Sequence, residues 1–287
     1  MRTVKRPNTR TNLDKAIQRL YGQTVKFVNI RSLMANAIVG QFLPGAVAKG
    51  GSALKLRFGD MATRMTTDFD IAYKDTVESV ISALAAGLRI GWNGFDGEVV
   101  AQKPMRPKGV REAYVMKPYS VKLRYNKAPW CTVQLEVAFN EIGDADVADI
   151  EISEEITKVF ESLGFPAPAP VPLMSLEYQV AQKLHGVTEP ESERAHDLID
   201  LQIIMAQREL DLVRLRSICK RLFAYRKMQP WPALVVKHAN WETIYGEERG
   251  ELPVLSTVDE AVAWANELID AIDKSKSKPS KKKGGRK

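Results

Sequence analysis

Met65-Thr66-Thr67-Asp68-Phe69-Asp70-Ile71-Ala72-Tyr73, MTTDFDIAY, reads as a buried strand that carries two aspartates one residue apart. Side chains alternate across a strand, so Asp68 and Asp70 share one face while Phe69, Ile71 and Tyr73 take the other. An ionised carboxylate is costly to bury alone, and two this close repel each other. A divalent cation between them relieves both problems, and oxygen ligands favour Mg2+ or Mn2+ over zinc. An Asp-x-Asp taken by itself is common, and a turn or a metal-free edge carries it too.

Working outward, Cys131 to Val137 alternates again, with odd positions apolar and Glu136 on the polar parity. If this strand neighbours the first, three carboxylates converge, as in sites that hold two metals for displacement at phosphorus. Val121 to Tyr125 alternates in the same way, and Asn126-Lys127-Ala128-Pro129 between the two strands predicts a hairpin turn. Upstream, Ala46 to Asp60 predicts a short strand, a Gly50-Gly51 turn and a helix opening near Ser52. Glycines let a triphosphate approach the backbone, and a helix N-terminus offers N–H groups to an anion. Ser52 would cap that helix or touch a phosphate oxygen. The spacing is not that of the ATPase phosphate loop, and a plain glycine turn is the simpler account of these residues alone.

The remaining pattern separates two lobes. Helical spacing covers 13–22, 28–42 and 75–90, and the proline-rich FPAPAPVPL, Phe165 to Leu173, reads as a linker. After it the pattern is helical at 175–187, 193–207, 210–224 and 257–273. The expected fold is α+β: a mixed-sheet lobe over 1–165, a helical lobe over 166–273 that completes a cleft, and a disordered basic tail over 274–287. In the helical lobe Lys183 falls on the apolar stripe of Leu176, Val180 and Val187, where a lysine either snorkels out or meets an anion. Arg194, Asp197 and Asp200 are three apart, the spacing of ordinary helical ion pairs. His185, His196 and His238 are too scattered for a zinc site and are given structural roles.

The 287 residues suffice for two modest domains or one large one. No apolar run is long enough to span a bilayer, and the N-terminus lacks an apolar signal core, so a cytoplasmic protein without a membrane partner is expected. Cys131 and Cys219 do not make a disulfide framework. The net charge of +7 is uneven: Lys274 to Lys287 holds eight basic residues, and without them the chain stands at −1. That tail is either a solvated segment or an extra contact for nucleic-acid phosphates. A second basic concentration, from Lys103 to Lys127, includes Lys108, Arg111, Lys117, Lys122 and Arg124, with Tyr114, Tyr119 and Tyr125 interleaved. Such a mixture suits RNA binding, although a solvated hairpin face has the same composition.

Together, Lys49-Gly50-Gly51-Ser52-Ala53-Leu54-Lys55-Leu56-Arg57, Thr67-Asp68-Phe69-Asp70, Gln182-Lys183-Leu184 and Arg194 to Leu201 resemble the AbiEii-type nucleotidyltransferase toxins. The likeness is greatest to the MenT-type branch and runs from about residue 46 to 205. It implies a polymerase-β-like nucleotidyltransferase lobe and a toxin paired with an AbiEi-like or related antitoxin. It also implies addition of NMP from an NTP to the 3′ acceptor end of tRNA, blocking translation. On these positions it implies that Gly50, Gly51 and Ser52 hold the triphosphate, with Arg64 a phosphate contact. Asp68 and Asp70 would bind Mg2+ or Mn2+. Lys183 would contact the nucleotide, and Asp200, with Asp197 beside it, would complete the late motif. Glu136 stands where such enzymes more often carry Asp, so it would either bind metal or activate the attacking hydroxyl. Thr66 and Thr67 flank the acids, and a phosphate on either would block the site. Transfer to a small molecule or protein, or a non-catalytic module that binds nucleic acid or antitoxin, remains the alternative on residues alone.

Overall fold

The computed structural model describes residues 4–23, 25–66, 68–103 and 116–276. Its chain divides into two compact units, one of residues 1–175 with 248–253, the other of 176–247 with 254–287. The division falls after Ser175 rather than after Phe165. The reason is that the proline-rich segment is not merely a linker: its last residues form a strand of the first unit's sheet.

The first unit runs α1 (Arg10–Tyr21), α2 (Val25–Gly40), β1 (Ala46–Lys49), α3 (Gly50–Phe58), β2 (Asp68–Tyr73), α4 (Val77–Ile90), β3 (Phe95–Ala101), β4 (Lys117–Tyr125), β5 (Ala128–Phe139), β6 (Ala148–Glu151), α5 (Glu154–Ser162) and β7 (Val171–Met174). The seven strands form one mixed sheet in the order β3-β4-β5-β2-β1-β7-β6. β2 is antiparallel to β1 and parallel to β5. The β4–β5 hairpin turns at Asn126 and Lys127, both at positive φ (46° and 69°), the backbone that a two-residue turn between twisted strands requires.

Alternation fixes which face is buried. Phe69, Ile71, Leu135, Val137, Val121 and Leu123 are at most 2% exposed and join Leu33, Met34 and Ile38 of α2 in one core. Each such side chain contributes about 1.5–3 kcal/mol by leaving water. A one-residue slip of β2 would turn Asp68 and Asp70 into that core, so the apolar set pins the acids to the opposite face. Arg57 of α3 braces the far end of the sheet: its guanidinium reaches Glu151 (2.9 Å), Asp149 (3.0 Å) and the Met174 carbonyl (3.0 Å).

The second unit contains α6 (Leu176–Val187), α7 (His196–Gln207), α8 (Leu212–Arg226), most of α9 (Trp241–Arg249) and α10 (Val258–Lys274). Thr257 and Glu260 form a reciprocal capping box at the start of α10. Its core includes Val180, Leu184, Leu198, Leu201, Leu215, Ala261 and Ala265, all fully buried. The expected helices are all found. Lys274 closes α10 rather than opening the tail, and the tail from residue 277 lies outside the described residues.

Candidate active site

The sheet register brings the predicted acids together. Asp70 and Glu136 are direct Cα partners on β2 and β5, and Asp68 pairs with Gln134 in the next row. On the other side of β2, Lys49 is the partner of Asp70. All of these lie on the polar face. Burial pushes the Glu136 carboxyl above its ordinary range, the charges of Asp70 and Asp68 push it further, and Lys49 opposes them. Glu136 thus senses both aspartates across two strands.

The glycines act through α3. Gly50 opens that helix at φ +67°, and a Cβ there would lie 2.5 Å from Asp70 Oδ2. Only glycine supplies both the left-handed backbone and the space for Asp70. Among the described residues no side chain caps this N-terminus and no acid sits in its first turn, which leaves the positive end of the helix dipole beside the acids. A Cβ at Gly51 would lie 3.2 Å from Thr66 Oγ1 and 3.4 Å from Arg64 Nη2, so Arg64 and Thr66 both lean over the start of the helix. Thr67 lies outside the described residues.

Ser52 does not cap α3, because the helix begins two residues earlier than the sequence suggests. Its hydroxyl is buried and donates to the Asp68 carbonyl, while Asn36 of α2 donates to the hydroxyl at 3.4 Å. Ser52 therefore ties α3 to the strand that presents the acids. Asn36 and Lys49 were missed by sequence reasoning. A polar Asn36 inside the apolar run Met34–Val39 was the available signal.

Of the predicted RNA contacts, Lys108 and Arg111 lie outside the described residues. Lys117 is exposed and stands 3.9 Å from Glu78. Lys122 lies on the polar face of β4, opposite Thr132, and Arg124 pairs with Asp96 at 2.5 Å.

Within the second unit, Lys183 resolves to the anion alternative, and the anions are its own aspartates. Its ammonium lies 2.7 Å from Asp197 and 2.6 Å from Asp200, with all three side chains at most 5% exposed. Arg194 adds a 2.6 Å pair to Asp197, crossing α6 at Gly186, where a Cβ would fall 2.5 Å from its Nε. Burial disfavours the Asp197 anion, but Lys183, Arg194 and His196 outweigh burial and hold its carboxyl well below the ordinary range. The motif thus builds a buried charge network that locks α6 to α7.

The family description "Nucleotidyl transferase AbiEii toxin, Type IV TA system" matches residues 32–274. The chain belongs to the AbiEii nucleotidyltransferase toxin family. The match spans both units and every acid described above. Enzymes of this family use a nucleoside triphosphate and a divalent metal, within a toxin–antitoxin pair. No curated protein sequence matches. Among solved structures, MenT4, a nucleotidyltransferase toxin of Mycobacterium tuberculosis, is 17% identical with a TM-score of 0.49, over 93% of this chain and 98% of that one. JHP933 from Helicobacter pylori is 17% identical with a TM-score of 0.43, over 88% of this chain and 93% of that one.

The register sets like charges beside one another, a repulsion that a divalent cation between them would relieve. Among the described residues no three His, Cys, Asp or Glu side chains close around a metal by themselves. Mg2+ is ordinarily held in that open way, by one or two carboxylates with water and substrate phosphates completing the shell.

Proposed function

We propose that this AbiEii-family chain transfers NMP from an NTP to the 3′ acceptor end of tRNA and so blocks translation. The observation that carries the reading is the Asp70–Glu136 register beside the uncapped α3 N-terminus. A carboxylate cluster for metal and a helix end for phosphates meet on one sheet face. Asp68 and Asp70 would hold Mg2+ or Mn2+, which supplies charge neutralisation at the reacting phosphate. The backbone N–H groups of Gly50 and Gly51 would receive the triphosphate, with Arg64 above them. Ser52 keeps Asp68 in place. Glu136, one methylene longer than Asp and one strand over, is assigned to the attacking hydroxyl.

In the reaction the RNA 3′-oxygen bonds to the α-phosphorus, the α–β phosphoanhydride bond breaks, pyrophosphate leaves, and the hydroxyl proton passes to Glu136. The protein contributes mainly position and field. Lys117, Lys122 and Arg124, with Lys108 and Arg111, would contact RNA phosphates. Lys183 and Asp200 are assigned to position the second unit's helices. An AbiEi-like or related antitoxin would restrain the activity in the cytoplasm, where tRNA is found. Among the described residues no helix is long and apolar enough to cross a membrane.

The test is incubation with total tRNA and each labelled triphosphate in turn, with Mg2+ or Mn2+. Label should enter the tRNA 3′ end and vanish in a well-folded Asp68→Ala/Asp70→Ala variant. Undiminished transfer by that variant refutes the site; transfer only to a small molecule or protein refutes the tRNA assignment. Phosphate on Thr66, or on Thr67, would add ~1.5–2 negative charges where triphosphate binds. Thr66→Glu should therefore inactivate, and full activity of that variant would remove this mode of control.

A further inference from the structure

We propose that a cavity of about 500 Å3 beside β5 binds the phosphodiester backbone of the RNA acceptor, an inference that rests on the acceptor assignment above. Its lining includes Arg10, Arg31, Lys122, Arg124, Trp130 and Thr132. β2 pairs with β5 only from Gln134 onward, so among the described residues no strand pairs with that edge of β5 around Trp130–Val133. The helices α1 and α2 supply Arg10 and Arg31 there, residues outside the basic segment singled out from the sequence.

Two cations carry the argument. The Arg31 guanidinium lies 5.8 Å from the ring centre of Phe27 and 5.7 Å from that of Trp130, so aromatic packing holds it in place. Its Nε is buried with no hydrogen-bond partner; its ion-pair partner Asp14 is 3.9 Å away and also accepts from Trp130 at 3.1 Å and pairs with Arg10 at 2.8 Å. The Arg31 side chain as a whole is 24% exposed, so the rest of its guanidinium can donate to an incoming phosphate oxygen. The Lys122 side chain is exposed and makes no hydrogen bond or ion pair among the described residues, although Glu98 is its register partner on β3. Glu98 is the single acid in the lining. Val28, 57% exposed, adds an apolar rim suited to a nucleobase.

Position selects a polymer over a free anion. Thr132 and Lys122 are register partners on the face that carries Glu136. Thr132 lies four residues along β5 from it, ~13 Å at strand rise, with Lys122 opposite on β4. A short run of extended single strand with its 3′ end at the acids would pass its phosphates over this cavity.

The experiment compares wild type, Lys122→Gln, Arg31→Gln and the double variant by fluorescence anisotropy with labelled tRNA across a salt series. Labelled-triphosphate binding is measured alongside. Each variant should bind tRNA severalfold more weakly, with a salt slope shallower by ~0.7 per lost phosphate contact. Triphosphate binding should keep wild-type strength. Unchanged tRNA affinity and slope in the double variant overturn the cavity assignment alone. Failure of wild type to bind tRNA overturns the acceptor assignment and this one with it. Loss of inorganic-phosphate binding with tRNA affinity intact assigns the cavity to a free phosphoanion and also overturns the proposal. If Arg31→Gln fails to fold, Lys122→Gln decides, since that side chain is exposed.

Discussion

Asp70 and Glu136 sit directly opposite each other on two adjacent parallel strands, facing the side of the sheet that α2 does not cover. Nothing in folding requires that pairing, because either acid could be replaced by a neutral residue without loss of apolar burial. Glu136→Gln should therefore leave the melting temperature at or above the wild-type value in the absence of divalent ions, since like-charge repulsion is relieved. The rise in melting temperature on adding Mg2+ should persist, because Asp68 and Asp70 remain to hold the ion. Nucleotide transfer should fall roughly 100-fold or more, the scale of losing one preorganised electrostatic group. Differential scanning calorimetry with and without Mg2+, beside the transfer assay, checks all three; a melting temperature several degrees lower would make Glu136 a structural residue instead.

Gly50→Ala should damage both stability and chemistry. The position is left-handed, and the added methyl would drive into Asp70 Oδ2. Forcing a non-glycine residue there costs about 1–3 kcal/mol. Transfer should fall by more than the unfolded fraction explains, because Asp70 is displaced. Gly51→Ala is the comparison, since its closest neighbours stand at 3.2 Å and one is a threonine hydroxyl. Urea denaturation and single-turnover transfer on both variants separate the effects, and equal losses in the two would count against the Gly50–Asp70 contact.

The local half of this site is readable in sequence, and the non-local half is not. Parity within MTTDFDIAY places two acids opposite an apolar anchor, and Gly50-Gly51 marks a strand-to-helix turn; both signals span only a few residues. That β2 and β5 are neighbours is a pairing across more than sixty residues, so the Glu136 contribution stays conditional until the sheet is seen. The short β6 and β7 fail for the same reason. Four residues carry too little periodicity, and their place is fixed partly by Arg57, whose partners lie 92 and 94 residues away. Lys183 on an apolar stripe does announce an anion, but the spacing cannot say whether a ligand or the protein provides it.

The buried lysine makes a stability prediction. Lys183→Met would leave Asp197 and Asp200 with their principal counter-ion removed, and breaking a buried pair in this way costs about 3–5 kcal/mol. Adding Asp197→Asn and Asp200→Asn to that variant should restore part of the loss, since no buried anions then remain to be compensated. Hydrogen exchange at the α6 and α7 amides is the readout. Loss of nucleotide binding with full protection retained in Lys183→Met would instead restore a direct role toward the phosphates.

Acid should loosen the same helices. Asp197 ionises more readily in the folded protein than at its ordinary value of 3.8, because Lys183, Arg194 and His196 outweigh the effect of burial. A depressed carboxyl stabilises the fold fully above the unfolded value and progressively less as pH falls toward the folded one. Protection of α6 and α7 should therefore be flat from pH 7 to about 5 and decline below about 4, where the unfolded chain binds a proton that the folded one refuses. Asp197→Asn should start from lower stability and show a shallower decline through that window. An Asp197→Asn protein that loses protection below pH 4 as steeply as wild type would place the acid sensitivity on other carboxylates.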